Sequence, residues 1–439
     1  MKSSSSQSLR DVFVATAVMT LMAAGTSDAQ TAQAQVTFTK DVAPIFQEKC
    51  EACHRPDSIA PMSLRTFEEA RPWARAIRAR VEARQMPPWH IDRTVGIQHF
   101  KNDRSLSDAQ LATVLAWVDQ GALRGDLKDM PAAIQWPEGQ GWNYAARFGQ
   151  TEPDLIIRNQ PWTMKSGDGN TWFKRLVETG VTEPRWVRAI EVRPGTVKGR
   201  KITHHANVEI DQLEADGTFT SGRFMEWAVG KEGELMRPDS GRLLMPNSRV
   251  AFDVHYASTN EDVTDAVEMG VYFYPKGQEP KYRQNLISVG SSGENLDIPP
   301  NSISSSQGFF VLPRAARIES FQPHMHLRGK GQALEAILPT GQTVVISSVN
   351  DFNFNWHNSY IYADDVAPLL PKGTVLKVTS WHDNTAANKA NPDPDVWVGY
   401  GDRTVDEMNH VWISITYMDE PDYLAEVQAR RGKLTQQQP

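Results

Sequence analysis

The sequence predicts a multidomain chain, with a small all-α domain over residues 36–128 followed by two antiparallel β-sandwiches of jelly-roll type over 151–305 and 306–425. Three observations predict it. Apart from a helix around Tyr423 to Arg431 ahead of a polar tail (426–439), helical periodicity is confined to the N-terminal part, where Leu111, Val114, Leu115 and Val118 recur behind a capping Ser107. From about Asp154 onward the pattern becomes short alternating runs punctuated by Pro, Gly, Asn and Asp. Between them, Gly121 to Gly149 loses periodicity and is rich in Pro, Gly, Gln and Trp; residues 129–150 read as a linker that drapes over its neighbours through Trp136 and Trp142.

The 439 residues leave room for roughly two to four domains. A formal charge of −7 with interspersed signs points away from nucleic acid. At the N-terminus, Lys2 and Arg10 precede an apolar run from Val12 to Ala24 and then small residues that offer cleavage after Ala29 or Ala34. This is a signal-peptide layout over 1–34, and the run is too short for a stable membrane span. An uncleaved anchor is the alternative; in either case the folded part is expected in the periplasm or outside the cell. Exported chains often carry disulfides, yet only Cys50 and Cys53 are present.

Both cysteines belong to Cys50-Glu51-Ala52-Cys53-His54, the Cys-x-x-Cys-His signature of one covalent haem c, in which two thioethers hold the porphyrin and His54 ligates iron. A redox dithiol lacks its βαβ surroundings, and a zinc site lacks a second Cys pair. A short amphipathic helix over Asp41 to Lys49 leads into the motif, and a basic helix over Thr66 to Arg84 ends at Gln85-Met86-Pro87-Pro88-Trp89. Met86 is the preferred sixth ligand, with Met62 and His90 as rivals. A His–Met iron has no open position, which suits electron transfer.

The second half carries histidines on expected strands at Lys201 to Ile210, Arg249 to Ala257, Ile318 to Leu327 and Val411 to Met418. His324 and His326 share a strand face about 7 Å apart. His255 lies opposite the apolar face of Val250, Phe252, Val254 and Tyr256. His204 and His205 are adjacent, so they can share a metal only if the strand twists or bulges there. Met408 shares a face with His410 and Trp412. Imidazoles with one thioether and no thiolate favour copper cycling between its two oxidation states. His357 reads as a plain surface residue, and His382 as a hydrogen-bonding neighbour of the site.

These residues resemble the copper type II, ascorbate-dependent monooxygenases, the family of peptidylglycine α-hydroxylating monooxygenase and dopamine β-monooxygenase. The resemblance covers roughly residues 150 to 420 and rests on His204-His205, His255-Tyr256, His324-Met325-His326-Leu327-Arg328-Gly329 and Asp406-Glu407-Met408. It implies two coppers, an electron-transfer copper on His204, His205 and His255 and an oxygen-activating, catalytic copper on His324, His326 and Met408. The N-terminal part resembles the cytochrome c domain of bacterial fusions to that family, which implies that haem feeds electrons from an external donor. The chain departs from the family in having no cysteine left for disulfides. It also has Gln322 where the peptide hydroxylase has an Arg, and His410 and Trp412 where that enzyme has Asn and Tyr. The implied partners are O2 and a small neutral or aromatic organic substrate rather than a peptide with a C-terminal glycine. The alternative is an exported electron-transfer or copper-binding protein without catalysis.

Overall fold

The computed structural model describes residues 35–56, 58, 60–136, 141–229, 231, 233–290 and 296–436, with side chains up to residue 432. The expected signal peptide, 1–34, lies outside the described residues. Residues Val36–Pro439 form one compact unit made mainly of β-strands. Among the described residues, no helix is long and apolar enough to cross a membrane.

The expected all-α cytochrome c domain over 36–128 is corrected by this architecture. Its helices are short: Ala43–Lys49, Phe67–Ala70, Ala74–Glu82 and Asp108–Asp119. The single helix expected from Thr66 to Arg84 starts well, since Thr66 and Glu69 form a reciprocal capping box. It is then interrupted by a tight 3-10 turn at Arg71–Trp73 that contains Pro72, which has no amide to donate. The helices gather Phe38, Phe46 and Trp117 into a small cluster. The chain after Met86 leaves that cluster, and Trp89, Ile91 and Phe100 enter the core of the C-terminal β region with Tyr360 and Tyr362. Ile91 bridges to Val349 and Phe100 to Tyr362. Helical periodicity is local and carried no sign of this excursion, because large aromatic side chains bury their area wherever a partner surface is available.

The β part holds two four-stranded antiparallel sheets. One runs in the order Asn170–Glu178, Arg249–Ala257, Thr203–Leu213, Phe219–Ala228, and the other Ile303–Val311, Val375–Asp383, Gly329–Ile337, Thr343–Val349. Both pack on one eleven-stranded sheet that passes through both halves. The join is the strand Tyr282–Gly290, which pairs in parallel with Ser240–Leu244 and antiparallel with His410–Met418. That strand falls within the 151–305 stretch read as the first sandwich, yet it pairs along its length with the last strand of the chain. One core, with Val208, Phe252, Val254, Val271 and Phe273, fills the N-terminal half. A second, with Leu334, Leu376, Val411, Ile413 and Ile415, fills the C-terminal half.

The linker is partly anchored: Trp142 is buried beneath the Arg193 guanidinium, 3.6 Å from its ring centre. The polar tail is in part helix, since Glu420–Gln436 is helical and Glu426 accepts from Arg237 and Arg317.

Candidate metal centre

The first cluster is built by a defect in a sheet. Ala206, Val208 and Ile210 pair with Val254, Phe252 and Val250, and these six side chains fill the N-terminal core. His205 sits directly opposite His255 on the other face. The register slips between Thr203 and His205, so His204 is the extra residue of a bulge. The slip turns two adjacent histidines toward one point: the ring centres of His204, His205 and His255 lie 5.0 to 5.5 Å apart. One ring nitrogen from each lies within 4.8 Å of the others. Trp172 stacks flat on His255 at 4.8 Å, and Phe354 stacks on His204 at 4.6 Å. The strand begins at Thr203 rather than Lys201, because Gly199–Ile202 makes a short helical turn.

The second cluster lies where Ser320–His324 pairs with His410–Met418. His324 faces His410, and the two rings stack 4.6 Å apart. The strand stops at His324, so His326 belongs to the following turn, its ring 5.7 Å from that of His324. Glu407 pins this turn by accepting the backbone N–H of His326 at 2.9 Å and of Arg328 at 2.6 Å. The Nδ1 of His326 is 3.0 Å from the Asp406 carbonyl oxygen. Donation there fixes the tautomer and leaves the Nε2 lone pair for a ligand. His382 stands 3.1 Å from the Met408 carbonyl oxygen. Half-buried Met408 is thereby held on the segment between Glu407 and His410.

His357 is buried, not on the surface, with its Nδ1 3.2 Å from that of His324. Glu226 is completely buried and places Oε1 3.1 Å from the same His324 nitrogen. Glu226, His324 and His357 thus form a second group whose donor atoms lie within 4.8 Å of one another. The two groups are neighbours, because the ring centres of His205 and His324 are 6.1 Å apart and those of His204 and His357 are 6.2 Å apart. Seven of the eleven histidines therefore meet in one chamber, too many for accidental burial of a costly polar ring. Burial first, and for all of them except His326 the neighbouring imidazoles next, lower the pKa of these rings; His204 and His255 are pushed down to about 4. Neutral imidazole is the ligand form. His255 Nδ1, His357 Nε2 and His410 Nε2 are buried with no hydrogen-bond partner, which leaves these nitrogens available to a metal ion.

Sequence reasoning missed Glu226, His357 and His410 as members of the cluster and Glu407 as its clamp. Glu226 lies on Phe219–Ala228, a strand disguised by Ser221-Gly222, and His357 lies outside any strand. The adjoining Asp-Glu-Met run was the one available signal for Glu407.

In the N-terminal part, Cys50, Cys53 and His54 share one turn after the first helix, with the N–H of Cys53 and of His54 donating to the Cys50 carbonyl at 3.1 and 2.9 Å. His54 Nδ1 is 3.2 Å from the Met62 carbonyl oxygen, which leaves its Nε2 unclaimed by that contact. Burial, with Cys53 beside it, pushes the Cys50 thiol up to about 12. Met62 is half-buried and packs on the helical cluster. Met86 follows the helix Ala74–Glu82, its N–H donating to the Arg80 carbonyl at 3.3 Å. The His90 N–H donates to the Tyr360 hydroxyl at 3.1 Å.

No family model matches this chain, and no curated protein matches it. Among solved structures, a chain assigned as an alpha-L-fucosidase from Bacteroides ovatus aligns over 65% of this chain and 41% of that one, at 10% identity and a TM-score of 0.18. A Paenibacillus xanthan lyase aligns over 65% and 28%, at 9% identity and 0.16. An allantoicase from Saccharomyces cerevisiae aligns over 58% and 81%, at 10% identity and 0.17. The chain spans well under half the length of the first two, and likenesses this shallow carry no argument about fold or chemistry.

Proposed function

We propose that this chain is an exported, haem- and copper-containing monooxygenase, similar to the copper type II ascorbate-dependent family, that hydroxylates a C–H bond of a small organic substrate. One oxygen atom of O2 enters the C–H bond and the other leaves as water, which takes two electrons and two protons from outside. Bound copper supplies one-electron redox chemistry and oxygen activation, and covalent haem c supplies single electrons from an external donor. The observation that carries the reading is the convergence of seven imidazoles in one chamber, five of them buried and those of His204 and His410 half-buried.

In this reading His204, His205 and His255 hold the electron-storing copper, and His324, His326 and Met408 hold the oxygen-activating one. Glu407 and the Asp406 carbonyl orient His326 for that task. Cys50 and Cys53 bind the porphyrin and His54 ligates its iron through Nε2. Met62 offers its carbonyl to the far edge of His54, which favours Met86 as the sixth ligand. The chain beyond Met86 supports an electron route, because the Pro88 carbonyl accepts from the Asn358 side chain at 2.8 Å and Asn358 adjoins His357.

The burial of the chamber favours a second reading, a carrier of electrons or copper without catalysis: His205, His324, His326 and His357 are each 5% exposed or less. Haem re-oxidation after a pulse of oxygen separates the two. In copper-loaded, fully reduced protein the monooxygenase reading expects re-oxidation at least tenfold faster than in copper-free protein, with substrate-dependent oxygen uptake. Equal rates, with no uptake beyond slow autoxidation, would leave the carrier.

A further inference from the structure

Glu226, His324 and His357 meet at one atom, His324 Nδ1, which lies 3.1 Å from a Glu226 oxygen and 3.2 Å from His357 Nδ1. Hydrogen bonds alone do not satisfy this arrangement. If His324 Nδ1 carries a proton, it can serve one of the two neighbours and leaves the other facing an N–H or a bare oxygen. If His357 donates to His324, a lone pair of His324 is occupied and Glu226 Oε1 faces no donor. Glu226 Oε1 has no aligned hydrogen bond, and neither does His357 Nε2, although both are buried.

Charge raises the same demand. Glu226 is 0% exposed, and its other oxygen takes the Gln322 amide. Among the described residues, no Lys or Arg forms an ion pair with it: the nearby Lys231 ammonium goes to Glu234 and Gln322, and the Arg223 guanidinium to Glu209 and the Trp412 ring. A fully buried acidic side chain with an oxygen that no aligned donor meets is costly unless a cation takes it.

We infer that Glu226, His324 and His357 bind a divalent first-row metal ion beside the ion on His204, His205 and His255, so that the two form one dinuclear centre. The inference rests on the reading above for the metal position at His324 and departs from it in one respect: Glu226 and His357, which no sequence motif carries, join His324 on that ion in place of His326 and Met408. Two imidazoles with one carboxylate are a harder donor set than three imidazoles, so the two ions are inequivalent. Ring separations between the triads, 6.1 and 6.2 Å, barely exceed the 5.0 to 5.5 Å within the first triad.

The test loads the full chain with Cu(II) and compares bound copper with the spins counted by electron paramagnetic resonance. The inference expects two coppers per chain, fewer than two spins and a half-field transition. In Glu226→Gln combined with His357→Ala, it expects one copper with its full spin, while Glu226→Asp retains the second ion. Circular dichroism confirms that each variant is folded; should the double variant not fold, the spin count of the unmodified protein and of Glu226→Asp decides. Two coppers with two independent spins, or a second copper indifferent to both substitutions, would overturn the dinuclear centre and leave the monooxygenase reading standing. No bound copper at all would overturn both.

Discussion

Replacing Trp89 by Ala perturbs the point at which the helical segment enters the β core. Trp89 is 8% exposed, edge-on to Tyr360 at 4.6 Å and to Phe100 at 5.7 Å. Two hydrogen bonds flank it, from the His90 N–H to the Tyr360 hydroxyl and from Asn358 to the Pro88 carbonyl. Removing a buried indole leaves a cavity that this framework cannot close, at a cost of about 3–5 kcal/mol. Against a total of about 5–15 kcal/mol, that is a large fraction. Because Val36–Pro439 is one compact unit, the loss should fall on helical and strand signals together. Urea unfolding followed by circular dichroism and by tryptophan fluorescence is expected to give coincident transitions, both shifted to lower urea. A loss below about 1 kcal/mol, or a helical transition that separates from the strand transition, would refute the packing described here.

Glu407→Ala is expected to cost about 2–6 kcal/mol, since the N–H groups of His326 and Arg328 each lose a buried acceptor worth about 1–3 kcal/mol. Isothermal titration should show roughly 10- to 100-fold weaker binding of one metal ion, with Glu407→Gln recovering part of the loss. The Glu191 carboxyl lies above its ordinary value of 4.5 because burial outweighs its hydrogen bonds from Tyr272, Tyr144 and Asn143. The folded state therefore binds the proton more tightly than the unfolded chain. Its stabilising contribution is full below 4.5 and is lost as pH rises through the folded value. Melting temperature against pH should fall less steeply across that window in Glu191→Gln than in the unmodified protein.

Alternation exposed the two inner faces well. Val250 to Tyr256 and Val411 to Ile415 line their cores through the expected residues, because a strand buried on one face must repeat every second residue. What alternation could not convey is that the opposite faces are buried too. His410 and Trp412 face away from one core, yet His410 stacks on His324 and Trp412 lies under Arg223. The His204 bulge was legible only as a requirement, since a one-residue slip leaves no mark on composition. Glu226 and His357 were invisible because they reach the centre from a strand whose alternation Ser221-Gly222 hides and from an irregular loop. The all-α domain failed for a related reason: local helical signals are real at Ala43–Lys49 and Asp108–Asp119, but they do not say where Trp89 and Phe100 are buried.

The central claim is that one chain holds haem at Cys50, Cys53 and His54 and copper in the histidine chamber. The most direct test is the metal-to-haem ratio of the exported protein after copper loading and exhaustive dialysis, with elemental analysis and a haem assay on the same sample. Two coppers per haem is the predicted result. Copper that dialyses away completely, or a chain that carries no covalent haem, would contradict the account.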